Sequence, residues 1–313
     1  MYSVIPLSGD PGIGERVASL LGGEVVKAFT KEHPDGELYL RLEGRVGGKR
    51  VLITQSMYPM QDRKFIELLL AIDAAIRGGA SEVDLLISYL AYARQDKVFL
   101  EGEPVSINVI LRSIKDLGVN RVFVVEPHSD IPKRIYGEGF IEIDGITPLA
   151  SQFKDEEELV VFSPDIGGVE RAKRLASKLS NVYGVYYIEK QRDRYTGEVR
   201  SFIKEEINLR GKKALIVDDI ISTGGTIANA AKLILERGAS KVYVACVHPI
   251  FVKGSVERIR DAGVSRIVCG KTVKHYVEGV EYIDLYMHIY TKITEILSLN
   301  IGYHTDSKGS SVV

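Results

Sequence analysis

The chain of 313 residues is 45% hydrophobic and 27% charged, and its 41 Lys and Arg are balanced by 42 Asp and Glu for a net charge of -1. That balance excludes a global basic field of the kind that holds nucleic acid, so any anion site must be local. The most apolar segment, Phe65–Ile76, is interrupted by Glu67 and Asp73, which excludes a membrane-spanning helix and leaves a soluble, cytoplasmic protein as the expectation. The opening MYSVIPLSGD lacks the cationic start and long apolar stretch of a secretory signal. Only two cysteines occur, Cys246 and Cys269, without metal-ligand spacing and inside apolar runs, so both are expected in the core.

In chain order, short β-branched runs alternate with longer helix-period segments, the pattern of parallel α/β units. Strands are predicted at Val51–Thr54, Val83–Ile87, Arg121–Val125, Val160–Phe162, Tyr183–Ile188, Ala214–Val217 and Lys241–Val247. After Thr226, residues Ile227, Ala230, Ala231, Ile234 and Leu235 fall on one helical face, and Gly238 is the natural stop. The stretch Gly48–Val83 lines up with Gly211–Val242, and LGVNRVFVVEP echoes AGVSRIVCG further along each half. Two related domains are predicted, 1–148 and 149–300, each a mainly parallel sheet flanked by helices. The polar, acidic run Ser151–Leu159 marks the join, and the small polar residues of 301–313 form a disordered tail.

The stretch ALIVDDIISTGGT, Ala214–Thr226, carries the chemistry most openly. Gly224 and Gly225 let backbone approach a ligand, Ser222, Thr223 and Thr226 offer hydroxyls, and a helix start offers unpaired N–H donors: a phosphate cradle. Asp218 and Asp219 would repel that phosphate but suit vicinal hydroxyls or a magnesium ion beside it, so the ligand implied is a sugar phosphate. A helix-capping turn is the alternative. SPDIGGVERA, Ser163–Ala172, again runs from a strand into a helix, with Asp165, Ile166, Gly167 and Gly168 at the turn; by itself it reads equally as an N-cap. In YARQDK, Arg94 and Gln95 suit triphosphate oxygens and an adenine edge, though an exposed polar loop fits the spacing as well.

These strings, with HPDGELYLR, EPHSD and KQR in the same order, resemble ribose-phosphate pyrophosphokinases, members of the phosphoribosyltransferase fold, over nearly the whole chain. The resemblance implies two tandem phosphoribosyltransferase-type α/β domains and transfer of the diphosphate of ATP to ribose 5-phosphate. It assigns Asp218, Asp219, Ser222, Thr223, Gly224, Gly225 and Thr226 to ribose 5-phosphate, and Asp165, Ile166, Gly167 and Gly168 to a pyrophosphate loop. His33, Asp35, Glu37, Arg94, Gln95 and Asp96 are assigned to ATP, His128 and Asp165 to magnesium, and Lys190 and Arg192 to a mobile catalytic loop. Because the HPDGE turn serves a neighbouring subunit in the family, a homo-oligomer is also implied. Two positions depart from the pattern: His33 stands where an aromatic phenylalanine is common, and Ser222 where many relatives carry aspartate. A true phosphoribosyltransferase and a non-catalytic relative are the alternatives.

Overall fold

Continuous runs of β-branched and aliphatic residues cannot alternate between core and solvent, so they require helices over both faces of a parallel sheet. A computed structural model describes residues 2–192 and 199–305, the side chains of 190–192, 199–200 and 298–305 lying outside the described residues. It divides into two compact units, one comprising the chain up to Ile143 and from Leu285 onward, the other Asp144–Asp284.

The first unit contains β1 (Tyr2–Pro6), α1 (Ile13–Leu20), β2 (Glu24–Val25), the hairpin β3 (Ala28–Glu32) and β4 (Leu38–Leu42), β5 (Arg50–Ser56), α2 (Gln61–Arg77), β6 (Glu82–Tyr89), α3 (Ser106–Asp116), β7 (Arg121–Val125), α4 (Ile131–Tyr136) and β8 (Phe140–Ile143). Its six-stranded sheet has the order β2-β1-β5-β6-β7-β8, and every neighbouring pair is parallel. The second unit contains β9 (Leu159–Ser163), α5 (Val169–Ala176), β10 (Val182–Tyr187), the hairpin β11 (Glu189–Arg192) and β12 (Val199–Phe202), β13 (Lys213–Ile221), α6 (Gly225–Glu236), β14 (Lys241–Pro249), α7 (Ser255–Asp261), β15 (Val264–Gly270) and β16 (Glu281–Ile283). Its sheet order is β10-β9-β13-β14-β15-β16, again all parallel. Each unit thus pairs its first strand with its second on one side and its third on the other, and inserts an antiparallel hairpin between the second and third. The internal similarity of the sequence is a similarity of topology.

In both units the order reverses beside the first strand, between β1 and β5 and between β9 and β13. Such a reversal sets the loops at the carboxyl ends of the strands on either side of a crevice, the usual ligand position in such sheets. The second core is built from Val160, Phe162, Ala214, Ile216, Val242 and Val244, with Ile227, Ala230, Ala231 and Ile234 of α6 laid over them. Gly238, at φ +95, ends α6 as its sequence position predicts. Cys246 and Cys269 are buried on adjacent strands.

The unit boundaries differ from those read from composition. The second unit begins at Asp144, ahead of the expected 148/149 division: Ile146 is buried, and the Asp144 carboxylate pairs with Arg174 of α5 at 3.2 Å. At the other end, α8 (Tyr286–Thr305) belongs with the first unit rather than the second. Leu285, Ile289 and Ile293 are buried, and Arg16 lies over the Tyr286 ring at 5.7 Å. Residues 301–305 are therefore helical and not a disordered tail; 306–313 lie outside the described residues. No helix among the described residues is long and apolar enough to cross a membrane.

Phe162 is fully buried beside Tyr186, with ring centroids 5.9 Å apart, directly beneath the second crevice. Phe162→Ala is expected to cost about 3–5 kcal/mol through lost transfer energy and cavity formation. As the chain has no tryptophan, denaturant unfolding followed by far-UV circular dichroism is the measurement that checks it.

Candidate active site

Strand β13 leaves the second core through four buried residues, Ala214–Val217, and delivers two carboxylates to the crevice. Asp219 is 3% exposed, and a buried carboxylate needs a partner. It has one in Arg171, whose Nη2 lies 3.2 Å from Oδ2. Asp218, half-buried, accepts the Asp219 backbone N–H at Oδ1 over 2.9 Å. Burial, and then the neighbouring Asp219 carboxylate, push the Asp218 carboxyl well above the usual carboxylate range, with Arg171 pulling the other way. Behind the pair, the Cys246 thiol donates to the Asp219 carbonyl at 3.3 Å, tying the strand end to β14.

The loop that follows turns at Gly224, whose φ of +74 is a left-handed conformation. A Cβ there would also lie 2.8 Å from the Ser255 carbonyl, so glycine is required on two grounds. Helix α6 begins at once, its first intrahelical bond running from Ala228 N–H to the Gly224 carbonyl at 2.9 Å. The amides ahead of Ala228 are the donors a helix start leaves for a ligand. Arg258 of α7 donates to the Thr223 carbonyl and fixes the loop from behind. Thr223 and Thr226 are exposed, Ser222 and Gly225 half-buried. Neutral donors thus sit beside, and one turn beyond, two carboxylates.

The second loop of this crevice follows β9. Asp165 caps the next helical turn, its Oδ1 accepting the Gly168 N–H at 3.2 Å, while Ser163 Oγ donates to the Asp165 carbonyl at 2.6 Å. A Cβ on Gly168 would lie 2.5 Å from Ser163 Oγ, and Ile166 at the loop tip is 72% exposed. Asp165 is therefore an N-cap, the plainer of the two sequence readings, and its negative charge also raises Asp218. The residue that joins the two loops, Arg171, was not singled out from sequence. A signal was present: Ser8–Arg16 (SGDPGIGER) and Ser163–Arg171 (SPDIGGVER) share Ser, Asp, Gly, Glu and Arg at the same places. In the first copy the arginine meets Tyr286, and in the second Asp219.

Lys190 and Arg192 fall on β11, in register with Ser201 and Val199 of β12; their side chains and residues 193–198 lie outside the described residues. By topology this hairpin is the counterpart of β3–β4 in the first unit.

The remaining candidates belong to the first unit. His33, Asp35 and Glu37 form the tip of the β3–β4 hairpin, closed by His33 N–H to the Glu37 carbonyl at 2.8 Å and by Gly36 at φ +94. Asp35 and Glu37 are exposed, and the His33 ring meets Tyr39 edge-on at 6.0 Å. Arg94, Gln95 and Asp96 follow β6. Arg94 is exposed, Gln95 accepts from Ser106 Oγ, and Asp96 accepts from Ser129 Oγ at 2.7 Å, which brings the Arg94–Asp96 loop to the residue after His128. Among the described residues no three His, Cys, Asp or Glu side chains converge as a self-sufficient metal site. A divalent ion bound largely through waters and phosphate oxygens needs only one or two carboxylates, and Asp165, with Asp218 close enough to feel its charge, is the carboxylate this loop offers.

A family model for the N-terminal domain of ribose phosphate pyrophosphokinase matches residues 2–118, and one for the phosphoribosyl transferase domain matches 138–283. The chain is 39% identical over 283 residues to the ribose-phosphate pyrophosphokinase of Sulfurisphaera tokodaii, an alignment covering 90% of this chain and 97% of that protein. To the ribose-phosphate pyrophosphokinase of Pyrococcus abyssi it is 38% identical over 267 residues, covering 84% and 90%. The crystal structure of phosphoribosylpyrophosphate synthetase from Mycobacterium smegmatis aligns with a TM-score of 0.84 at 25% identity, over 95% of this chain and 99% of that one.

A carboxyl whose folded pKa is raised binds its proton more tightly in the folded chain than in the unfolded one. Stability attributable to Asp218 therefore falls as pH rises from the ordinary carboxylate range through the raised value. Asp218→Asn removes that loss: the variant is expected to melt above wild type at neutral pH, with the gain shrinking as pH falls to the ordinary carboxylate range, as thermal unfolding across pH would reveal. Gly224→Ala is expected to be destabilising by about 1–2 kcal/mol for the left-handed backbone alone, measured by the same unfolding experiment.

Proposed function

The chain belongs to the ribose-phosphate pyrophosphokinase family, and on that premise we propose that it transfers the diphosphate group of ATP to the C1 hydroxyl of ribose 5-phosphate. The products are 5-phosphoribosyl 1-pyrophosphate and AMP, an activated sugar for nucleotide biosynthesis in the cytoplasm. The observation that carries this is the second unit's crevice: adjacent carboxylates, the buried Asp219 paired with Arg171 and the half-buried Asp218 beside it, next to a left-handed glycine turn that opens a helix. A phosphate alone would want the turn without the carboxylates, and a neutral sugar the carboxylates without the turn. A sugar phosphate uses both.

In this scheme the amides and hydroxyls of Ser222–Thr226 hold the 5-phosphate, and Asp218 and Asp219 accept hydrogen bonds from the ribose hydroxyls. Once both carboxylates are engaged the sugar is oriented, which supplies much of the rate advantage of an in-line displacement. The C1 oxygen bonds to the β-phosphorus, the bond from that phosphorus to the α,β-bridging oxygen breaks, AMP departs and the hydroxyl proton passes to solvent. The Asp165–Gly168 loop receives the diphosphate. Magnesium would supply positive charge against the triphosphate, with Asp165 as the candidate ligand in the second unit and His128 as the candidate in the first. Lys190 and Arg192 of the β11–β12 hairpin offset charge developing during transfer, and no carboxylate is needed as a general base. Arg94, Gln95 and Asp96 bind ATP. The exposed hairpin tip of His33, Asp35 and Glu37 reaches the nucleotide of a second copy in a homo-oligomer, His33 giving weaker stacking than phenylalanine would.

Incubation with ATP, magnesium and ribose 5-phosphate, followed by phosphorus NMR, is expected to show AMP and a new diphosphate ester; absence of both would overturn the proposal. Lys190→Ala is expected to slow turnover by about 100-fold or more with nucleotide binding largely retained, and unchanged turnover would remove the hairpin from the mechanism.

A further inference from the structure

The first unit has the same crevice, and its contents are inverted. Strand pairing fixes the equivalence: Val51 lies opposite Val83 as Ala214 lies opposite Val242, so Gln55 and Ser56 occupy the places of Asp218 and Asp219. The helices correspond through the shared Gly-Ala-Ser that follows each. Counting back from Gly79 (79 − 67 = 12) and from Gly238 (238 − 226 = 12) sets Glu67 opposite Thr226. Where the second unit has carboxylates at the strand end and neutral donors at the helix start, the first has neutral side chains at the strand end and a carboxylate on the helix.

That carboxylate is 2% exposed and is coordinated as a bound anion would be. Glu67 Oε1 accepts the Ser8 N–H at 3.0 Å, and Oε2 accepts from Ser8 Oγ at 2.5 Å and from Gln55 Nε2 at 3.1 Å. Lys64 Nζ lies 3.7 Å from Oε2 and itself donates to Ser8 Oγ. The loop carrying Ser8 is the counterpart of the Asp165 loop, with Asp10 capping the Gly12 and Gly14 amides as Asp165 caps Gly168. Gly9 donates to Gln55 Oε1 at 2.9 Å, and a Cβ there would lie 2.2 Å from the Ser56 carbonyl, so this loop too is drawn tightly onto the strand end. Ser56 Oγ, fully buried, has no hydrogen-bond partner among the described residues.

We propose that the first unit is a degenerate sugar-phosphate site whose anion is built in: the Glu67 carboxylate occupies the cradle that would otherwise take a tetrahedral oxyanion such as inorganic phosphate. The equivalence rests on the phosphate role proposed for Ser222–Thr226. Its consequence is a latent anion site, formed by Ser8, Gln55 and Lys64, that opens when Glu67 is shortened.

Equilibrium dialysis of the full chain against labelled inorganic phosphate tests this. Glu67→Ala is expected to bind one more phosphate per chain than wild type, and Glu67→Ala with Lys64→Met to lose that addition. Equal stoichiometry for Glu67→Ala and wild type, or an addition that survives loss of Lys64, overturns the proposal. Should the alanine variant fold poorly, Glu67→Ser is melted in phosphate and in chloride at equal ionic strength. A phosphate-specific rise in its midpoint beyond that of wild type supports the latent site, and an equal rise overturns it. Wild-type turnover of ATP and ribose 5-phosphate is measured alongside, so failure of this inference is distinguishable from failure of the proposed reaction.

Discussion

The contact between Arg171 and Asp219 is the constraint on which the second crevice depends. Two adjacent carboxylates at the end of a buried strand are electrostatically unfavourable, as the raised Asp218 carboxyl reports, and a single guanidinium from α5 keeps the arrangement folded. The same contact brings together two loops that are distant in sequence. One follows β9 and offers Asp165 and paired glycines; the other follows β13 and offers the hydroxyl-rich turn. Because they share Arg171 and Asp219, the diphosphate and sugar subsites of the proposed reaction are set by one ion pair. A cation and a carboxylate packed against each other also hold fixed orientations, so substrate would meet oriented groups.

The first unit keeps the architecture of the second with different contents in its crevice. The topology is retained down to the hairpin between second and third strands, and the loop after the first strand keeps its serine, aspartate, glycine and arginine. What changed is where negative charge resides. Gln55 and Ser56 remove it from the strand end, and Glu67 introduces it on the helix, where Ser8, Gln55 and Lys64 receive it. A crevice full of hydrogen-bond donors is costly if left empty and buried, because each unsatisfied group forfeits its interaction with water. An internal carboxylate satisfies those donors.

Much of this was visible in sequence because it depends on local periodicity. Each buried strand is an uninterrupted aliphatic run, and the helix after Thr226 shows its face at the expected spacing. Gly224 and Gly238 stand where left-handed backbone was needed, and the repeat between Gly48–Val83 and Gly211–Val242 foretold two like sheets. The boundaries were less visible. Composition places the join in the polar run Ser151–Leu159, yet the second unit starts at Asp144, where the carboxylate pairs with Arg174 of α5 and Ile146 is buried, contacts that a local composition shift does not report. Likewise α8 follows the second unit in sequence but buries Ile289 and Ile293 with the first, a placement that helical amphipathicity cannot specify because it names a buried face without naming its partner.

The sequence alone therefore determined the α/β class, the twofold architecture, the strand-loop-helix setting of the Asp218–Thr226 segment and the family resemblance, since all of these are encoded in residues close together along the chain. Only the tertiary structure decided that Arg171 neutralises Asp219, that Asp165 both caps a turn and bears on Asp218, and that Glu67 fills the twin crevice. Those pairings span 48 residues (219 − 171), 53 (218 − 165) and 59 (67 − 8) of chain. They exist because parallel strands bring distant loops to one edge of a sheet, and a charge buried there must be met by whatever the fold places beside it.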